Sequence, residues 1–197
     1  MERVILARHG ESVFSAQEIV NGDPAVPGGL TDAGVEQARS LGLLLSDERL
    51  DLLVTTEFER TVATAETALG DRGLPRAVIA DLNDPRYGRF EGAQLAAYRA
   101  WASASPSSES PGEGGESRYA IVERFARGFA ELLARPERSI LLVAHSLPLA
   151  YALAARGGLE PAPRMPFAAY ATPYRFTSGE LESVVEVLGG WLAAPTF

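Results

Sequence analysis

The sequence contains no cysteine, which excludes disulfide bonds, thiolate metal sites and cysteine nucleophiles together. Positive charge is also scarce, because 18 basic residues stand against 26 acidic ones and leave a formal net charge of −8. Binding to nucleic acid or to an anionic membrane surface needs a basic face, so we expect neither. The phosphate-binding motif GxxxxGKS/T does not occur, and a nucleotide-binding protein of that type therefore has no support.

Long apolar runs are absent as well. The longest uncharged stretch, residues 139–155, contains His145 and Pro148 and is too short to cross a bilayer. Near the start of the chain, Arg8 and His9 interrupt the apolar run before a secretory signal can form. These absences predict a soluble protein without a signal peptide, and the lack of cysteine is compatible with a cytoplasmic location.

The composition is otherwise that of a globular protein. The 197 residues fit a single domain, 1–197, since domains usually run to about 100–200 residues. Apolar residues make up 46% of the sequence, which is enough to bury a core and excludes intrinsic disorder for most of the chain. We find no internal repeat and no second domain in the pattern.

Short apolar runs alternate with segments of helical periodicity along the chain. The runs are typical of buried strands, and they lie at Val4–Ala7, Leu52–Thr55, Val78–Ala80 and Ile140–Ala144. Strands that alternate with helices favour an α/β fold. We therefore predict a three-layer αβα sandwich, with a mostly parallel central sheet and helices on both faces.

Three of the helices have recognisable starts, because serine and threonine side chains cap the first turn of a helix. Thr31 is predicted to cap the first of them. Thr55 or Thr56 is predicted to open a second helix, which carries Arg60 in its early turns. Ser117 is predicted to open the third, which has the clearest apolar face.

Two other regions are assigned from weaker patterns. Phe167–Phe176 and Glu182–Val187 predict two additional strands, joined by a turn at Ser178-Gly179. The low-complexity segment 103–115 is interpreted as a flexible surface loop, with a lid beside the functional site as the alternative.

The chain has only two histidines, and both follow a predicted strand directly. His9 ends the run VILARH and His145 ends the run ILLVAH. In an α/β sheet, ligands bind beyond the carboxyl ends of the strands. Two histidines in that position, one of them next to Arg8, therefore indicate a functional site rather than two unrelated core residues.

Short motifs extend this pattern through the first three quarters of the chain. They are RHGES at 8–12, LTDAG at 30–34, ERT at 59–61, LND at 82–84 before YGRFEG, GGES at 114–117 and VAHS at 143–146. In this order they resemble the signature motifs of the histidine phosphatase superfamily, also called the phosphoglycerate mutase-like family. The resemblance implies the phosphoglycerate mutase-like version of the sandwich and a phosphatase that works through a phosphohistidine.

The resemblance also implies a role for each catalytic residue, and the side chains fit those roles. Phosphoryl transfer needs a nucleophile, positive charge around the phosphate oxygens and a proton for the leaving oxygen. The family pattern makes His9 the nucleophile. Arg8 and Arg60 present planar forks that bind phosphate oxygens bidentately, and His145 adds a further donor. Asp84 is the predicted general acid and base.

Asp84 departs from the family pattern, which usually has a glutamate at this position. Aspartate has a shorter side chain and a slightly lower reference pKa, so its backbone must lie closer or bound phosphate must raise its pKa. Glu91 is the next candidate acid. With Asp84 as the acid, we expect an acidic pH optimum.

The predicted substrate-binding residues include other departures. Ser15 stands where many family members have asparagine, and Asn21 and Gly22 are expected to compensate from the following loop. Ser146 replaces the usual glycine after the second histidine and is expected to donate a hydrogen bond. Tyr87 is predicted to contact substrate, with buried packing as the alternative.

Three functions remain open from the sequence. A metal-independent phosphomonoesterase, a hydrolase that needs no cofactor, is favoured because the segment before the second histidine is short and resembles that of phosphatases. A phosphoglycerate mutase-type transferase is the second interpretation. A catalytically silent module that binds phosphorylated ligands is the third, and the departures at Ser15 and Asp84 favour it. The expected partner is a small phosphomonoester, with its identity and the oligomeric state left open.

Overall fold

A five-stranded sheet forms the centre of the computed structural model, which describes all 197 residues. The strands are β1 Arg3–Arg8, β2 Leu52–Thr55, β3 Arg76–Val78, β4 Ser139–Ala144 and β5 Tyr174–Thr177. Their order across the sheet is β3-β2-β4-β1-β5. The first four strands of this order are parallel, and β5 pairs antiparallel with β1 at one edge.

Seven α-helices surround the sheet. They are α1 Val13–Ala16, α2 Asp32–Leu44, α3 Glu59–Leu69, α4 Leu95–Ala104, α5 Arg118–Leu133, α6 Ser146–Arg156 and α7 Ser178–Ala193. Single turns of 3₁₀-helix lie at residues 70–72, 80–82 and 88–90. None of the helices combines the length and the apolar composition that crossing a membrane requires.

Both faces of the sheet are covered, which confirms the predicted three-layer αβα sandwich. On one face, Val4 and Leu6 of β1 pack with buried residues of α5, α6 and α7. On the other face, Ile5 and Ala7 pack with buried residues of α2 and α3. Successive side chains of a strand point to opposite faces, so a central strand buried on both sides is a continuous apolar run.

Several predicted boundaries are confirmed. The strand β2 spans the predicted residues, Leu52–Thr55. The Thr31 side chain accepts a hydrogen bond from Gly34 N and caps α2, and Ser117 caps α5 in the same way. β1 and β4 contain the predicted runs and extend them by one or two residues.

Two of the remaining boundaries are wrong by a few residues. The helix predicted to open at Thr55 or Thr56 begins at Glu59, because β2 continues through Thr55 and the Thr56 hydroxyl bonds to a histidine ring instead of capping a helix. β3 ends at Val78, two residues before the predicted end, and short 3₁₀ structure follows.

The prediction for the end of the chain is wrong in a more basic way. Only residues 174–176 of the first predicted strand lie in a strand, β5, and Glu182–Val187 lies inside α7. The predicted turn at Ser178-Gly179 is the first turn of that helix, which a capping box between Thr177 and Glu180 starts. The buried residues of α7, Leu181, Val184, Leu188 and Trp191, have helical spacing and pack against the core.

Two glycines allow the backbone after β1 and the start of α2 to lie in close contact. A Cβ atom on Gly10 would lie 2.4 Å from the Gly34 carbonyl oxygen. A Cβ atom on Gly34 would lie 2.0 Å from the carbonyl oxygen of Glu11. The start of α2 therefore packs directly on the backbone after β1, and both positions require glycine.

Two leucines of α2 test the assignment of its buried face. Leu41 is fully buried and Leu43 is 76% exposed. We expect Leu41→Ala to lower the free energy of unfolding by about 2–5 kcal/mol, because it leaves a cavity in the core. Leu43→Ala is the matched control and should change it by less than about 0.5 kcal/mol. Urea unfolding of the two variants measures both values, and equal losses would contradict the assignment.

Candidate active site

Two buried histidines meet at the carboxyl ends of β1 and β4. These strands are parallel neighbours in the register Arg8↔Ala144, so the residues that follow them, His9 and His145, emerge side by side. Their ring centroids are 5.4 Å apart. His145 is fully buried and does not line the adjacent cavity of about 490 Å³, whereas His9 is 3% exposed and lines it. The site therefore lies where the sequence predicts it.

The His9 ring is held in one orientation by its own backbone. Nδ1 lies 2.6 Å from the Gly10 carbonyl oxygen, which can only accept, so Nδ1 carries the proton. Nε2 makes no hydrogen bond and keeps its lone pair. Burial lowers the pKa of His9 well below its usual value, and the nearby charges of Arg60 and His145 lower it further. His9 is therefore a neutral imidazole at neutral pH, the form that acts as a nucleophile.

Arg60 enters the site from the first turn of α3 and is 4% exposed. Its Nη1 donates to Asn21 Oδ1 at 2.8 Å, and its Nη2 donates to Asp84 Oδ2 at 2.7 Å. The guanidinium group also stacks on the Phe58 ring, 4.1 Å from the ring centroid. These contacts orient the planar fork and leave it beside the histidine pair.

Arg8 enters from the end of β1 and has no acidic partner. Its Nη1 donates to the Ala168 carbonyl oxygen at 3.0 Å, and its guanidinium carbon lies 3.7 Å from the Tyr170 ring centroid. Its Nε is buried without a hydrogen-bond partner. Burial lowers the pKa of Arg8, although Tyr170 and Asp84 act in the opposite direction. A buried cation with unused donors is suited to an anionic ligand.

His145 and Asp84 form the other side of the site. His145 Nε2 lies 2.9 Å from Thr56 Oγ1, which leaves Nδ1 to face Asp84 Oδ2 at 3.1 Å, in a direction too poor for a hydrogen bond. Burial lowers the pKa of His145 to about 4, and Asp84 only partly offsets this effect. Burial alone would raise the pKa of Asp84, but the charges of His145 and Arg60 outweigh it and hold that pKa below its usual value.

Four of the five residues predicted to bind substrate line the cavity, namely Ser15, Asn21, Tyr87 and Ser146. The Ser15 hydroxyl is engaged locally, because it accepts from Ser12 N at 2.7 Å and donates to the Ser12 carbonyl oxygen at 3.0 Å. Asn21 holds Arg60, as described above, and Ser146 Oγ accepts from Ala168 N at 3.1 Å. These side chains therefore shape the site by holding its other parts.

Gly22, the fifth, does not line the cavity. Its N–H donates to Glu91 Oε2 at 3.0 Å, and a Cβ atom there would lie 2.0 Å from the Pro85 carbonyl oxygen. Glu91 Oε1 accepts from Tyr87 N at 2.8 Å. The Glu91 carboxylate thus joins two loops through their backbone amides, and the structure assigns this alternative acid a structural position outside the cavity.

The sequence analysis missed the wall formed by residues 163–170. This segment contains Ala168 and Tyr170, which hold Arg8, and Phe167, whose ring lies 5.7 Å from the Arg8 guanidinium carbon. Pro173 lies inside the strand predicted over Phe167–Phe176 and argues against its first part, and β5 begins only after this proline. Arg99, Arg118 and Arg164 also line the cavity and carry no motif that marks them.

One cluster has the spacing of a metal site. Ligand atoms of His9, Asp84 and His145 all lie within 4.8 Å of one another. The Arg60 guanidinium group is already 2.7 Å from Asp84, so a cation there would compete with it for the carboxylate. The expectation that no metal takes part stays a prediction.

The fold and the site together define an α/β enzyme with a cationic pocket at the carboxyl edge of its sheet. Residues 4–178 match the sequence profile of the histidine phosphatase superfamily (branch 1). The chain belongs to this superfamily, and it is a phosphatase of the histidine phosphatase type.

Relatives and solved structures agree with this assignment. The adenosylcobalamin/alpha-ribazole phosphatase of Escherichia coli is 33% identical over 155 residues, which cover 73% of each chain. The glucosyl-3-phosphoglycerate phosphatase of Mycolicibacterium vanbaalenii is 29% identical over 81% of this chain and 76% of its own. The crystal structure of a putative alpha-ribazole-5'-P phosphatase from Escherichia coli superimposes with a TM-score of 0.77, at 30% identity, over 89% of this chain and 90% of that one.

The two histidines generate a prediction for stability. Both have native pKa values below the unfolded value of about 6.5, so the unfolded chain binds more protons as the pH falls below 7. The free energy of unfolding should therefore decrease from pH 7 to pH 5. Urea unfolding in phosphate-free buffer measures this decrease.

The matched control is the double variant His9→Gln, His145→Gln. These are the only histidines in the chain, so the variant should lose most of the decrease between pH 7 and pH 5. An unchanged pH dependence in the double variant would contradict the assignment of both rings as neutral.

Proposed function

We propose that this phosphatase hydrolyses small phosphomonoesters through a phosphohistidine on His9. One observation carries the proposal: Nδ1 of His9 donates to the Gly10 carbonyl oxygen at 2.6 Å and leaves Nε2 unpaired in a cationic cavity. A neutral ring with a free lone pair and a fixed orientation is ready for nucleophilic attack. The lowered pKa of His9 keeps the ring in this form.

In the first step, Nε2 of His9 attacks phosphorus and the bond from phosphorus to the leaving oxygen breaks. Arg8 and Arg60 neutralise the oxygens of the transferred group, and His145 Nδ1 donates to the same group. Both electrons of the broken bond remain on the leaving oxygen, which takes a proton from Asp84. The products of this step are the free alcohol, a phosphohistidine and the Asp84 carboxylate.

Asp84 must first acquire the proton that it donates. Its pKa is held down by its charged neighbours, among them Arg60, whose Nη2 lies 2.7 Å away. A bound phosphoryl group competes for the Arg60 donors and adds negative charge, and both effects raise the pKa of Asp84. A substrate monoanion also supplies a proton within reach of this carboxylate. At acidic pH more of the substrate carries that proton, which agrees with the expected acidic optimum.

In the second step, water hydrolyses the phosphohistidine. The Asp84 carboxylate takes a proton from water as the water oxygen attacks phosphorus. The bond from phosphorus to Nε2 breaks, its electrons return to His9 and inorganic phosphate leaves. The cycle ends with Asp84 protonated and His9 neutral, as they stood before the first step.

The substrate class follows from the size of the cavity and from the relatives. A volume of about 490 Å³ accommodates a small phosphorylated metabolite. The relatives are named as phosphatases of adenosylcobalamin or alpha-ribazole and of glucosyl-3-phosphoglycerate, all of which are metabolites. We therefore place the substrate among small phosphorylated metabolites.

Chelation and removal of the nucleophile test the reaction type. We expect release of phosphate from para-nitrophenyl phosphate between pH 4 and pH 8 to persist in EDTA. The variant His9→Ala should lose this activity, because it removes the nitrogen that attacks phosphorus. A rapid acid-free quench should trap phosphate on wild-type His9, which mass spectrometry detects. Loss of activity in EDTA, or full activity in the variant, would contradict the proposal.

A mutase would give a different ratio of isomerisation to phosphate release in the same experiment. A mutase would form the phosphohistidine but return the phosphoryl group to an acceptor, so isomerisation of 3-phosphoglycerate would exceed phosphate release. A silent binding module would show neither activity and no phosphohistidine.

The role of Asp84 is tested with two leaving groups. The variant Asp84→Asn should slow hydrolysis of an alkyl phosphate by about 10²–10⁴-fold, because an alkoxide needs a proton as it leaves. It should slow para-nitrophenyl phosphate much less, since nitrophenolate leaves without one. Steady-state kcat/KM values for the two substrates measure the difference.

The control is Asp81→Asn, a surface carboxylate that pairs with Arg127 and lies outside the cavity. It should leave both rates unchanged. Equal losses on the two substrates in Asp84→Asn would show that Asp84 only positions Arg60.

A further inference from the structure

The cavity carries more positive charge than the phosphoryl site uses. Five arginines line it, against two carboxylates, whereas the whole chain has a net charge of −8. All 18 basic residues of the chain are arginine, so each of these cations is a planar fork suited to oxyanions. Two of the five, Arg8 and Arg60, belong to the site described above. The other three are Arg99, Arg118 and Arg164.

These three arginines are not neutralised by any ion pair. Arg99 Nη2 donates to the Met165 carbonyl oxygen at 2.7 Å, and Arg118 Nη2 donates to the Pro163 carbonyl oxygen at 2.8 Å. Arg164 makes no hydrogen bond with its side chain and is exposed. Carbonyl oxygens orient a guanidinium group but do not cancel its charge, so three cations converge on one wall of the cavity.

Arg118 gives the strongest sign that an anion belongs here. The residue is only 8% exposed, and its Nε is buried without a hydrogen-bond partner. Two tyrosines, Tyr98 and Tyr151, favour its charged form, yet no carboxylate neutralises it, so an anion in the cavity would be attracted to it. Burial lowers the pKa of Arg99, and the charges of Arg164 and Arg118 lower it further, so both cations lie close to Arg99.

The ring of Phe167 sets the distance between this cluster and the phosphoryl site. The guanidinium carbon of Arg8 lies 5.7 Å from the ring centroid, and that of Arg99 lies 4.2 Å from it. Both guanidinium groups therefore lie close to the same phenyl ring. A small ligand with two anionic groups can therefore place one near Arg8 and the other near Arg99.

We propose that Arg99 and Arg164, supported by the buried Arg118, form a second anion subsite in the substrate cavity. The preferred substrates are then phosphomonoesters whose leaving group carries a second anionic group, a carboxylate or a phosphate. This inference rests on the proposed function only for the position of the first phosphoryl group. It divides small phosphorylated metabolites into two classes and selects esters whose leaving group is acidic over esters whose leaving group is uncharged, such as a nucleoside.

Matched substrates test the subsite. The first is para-(carboxymethyl)phenyl phosphate, and its counterpart is the carboxamide of the same size with nearly the same leaving-group basicity. We expect the wild type to prefer the carboxylate by about tenfold in kcat/KM, because charge-assisted hydrogen bonds are lost in the amide. A third substrate with a phosphonate in place of the carboxylate shows which anion the subsite prefers.

Two variants and one control assign the preference to residues. Arg164→Gln removes a cation that makes no side-chain hydrogen bond, and Arg99→Gln removes the one nearest Phe167. Each should reduce the rate on the carboxylate substrate and leave the rate on the amide nearly unchanged. Arg89→Gln makes the same change in net charge outside the cavity and should alter neither rate.

Binding of the corresponding phosphonates, which cannot be hydrolysed, separates this inference from the proposed function. Calorimetric titration should show the same preference for the carboxylate compound, whether or not the enzyme turns over. Turnover without a preference overturns the subsite and leaves the phosphatase mechanism intact. A binding preference without turnover supports the subsite and overturns the proposed function. Equal losses on both substrates in the two variants would also overturn the subsite.

Discussion

The parallel pairing of β1 with β4 is the interaction on which the functional site depends. Main-chain hydrogen bonds place Arg8 opposite Ala144, and His9 N then donates to the Ala144 carbonyl oxygen at 2.9 Å. Residues far apart in the sequence thereby reach the same edge of the sheet. Because both strands are buried on two faces, apolar packing specifies their register, and a shift of one residue would turn each side chain to the opposite face.

Concentrating cations at this edge has an electrostatic cost that the surrounding residues reduce. Arg60 is buried but oriented by Asn21 and Asp84, while Arg8 is supported by the Ala168 carbonyl oxygen and the Tyr170 ring. The two histidines are kept neutral by the same burial and the same charges. The site is thus preorganised for an anion. A bound anion neutralises the positive charge of the arginines, which the protein's own groups neutralise only in part.

The parts of the site that could be predicted come from local signals. Arg8 ends an apolar strand, His9 and His145 directly follow one, and Thr31 and Ser117 cap helices within three residues of themselves. The wall at residues 163–170 could not be predicted, because it has no regular secondary structure and is held by contacts with Arg8, Arg99, Arg118 and Ser146, which are distant in the sequence. The end of the chain was mispredicted because Val184, Val185 and Val187 are β-branched residues that also fit a short strand.

The sequence by itself therefore determined the approximate positions of the first four strands and of α2, α3 and α5, the α/β class, the family and the identity of the two histidines and two arginines. These follow from periodicity and from motifs whose residues lie close together in the chain. Only the tertiary structure decided which carboxylate faces the histidines, that Glu91 binds backbone amides instead, and that Arg99, Arg118 and Arg164 converge on one cavity. The physical reason is that charge and burial act through space, between residues that are distant in the sequence.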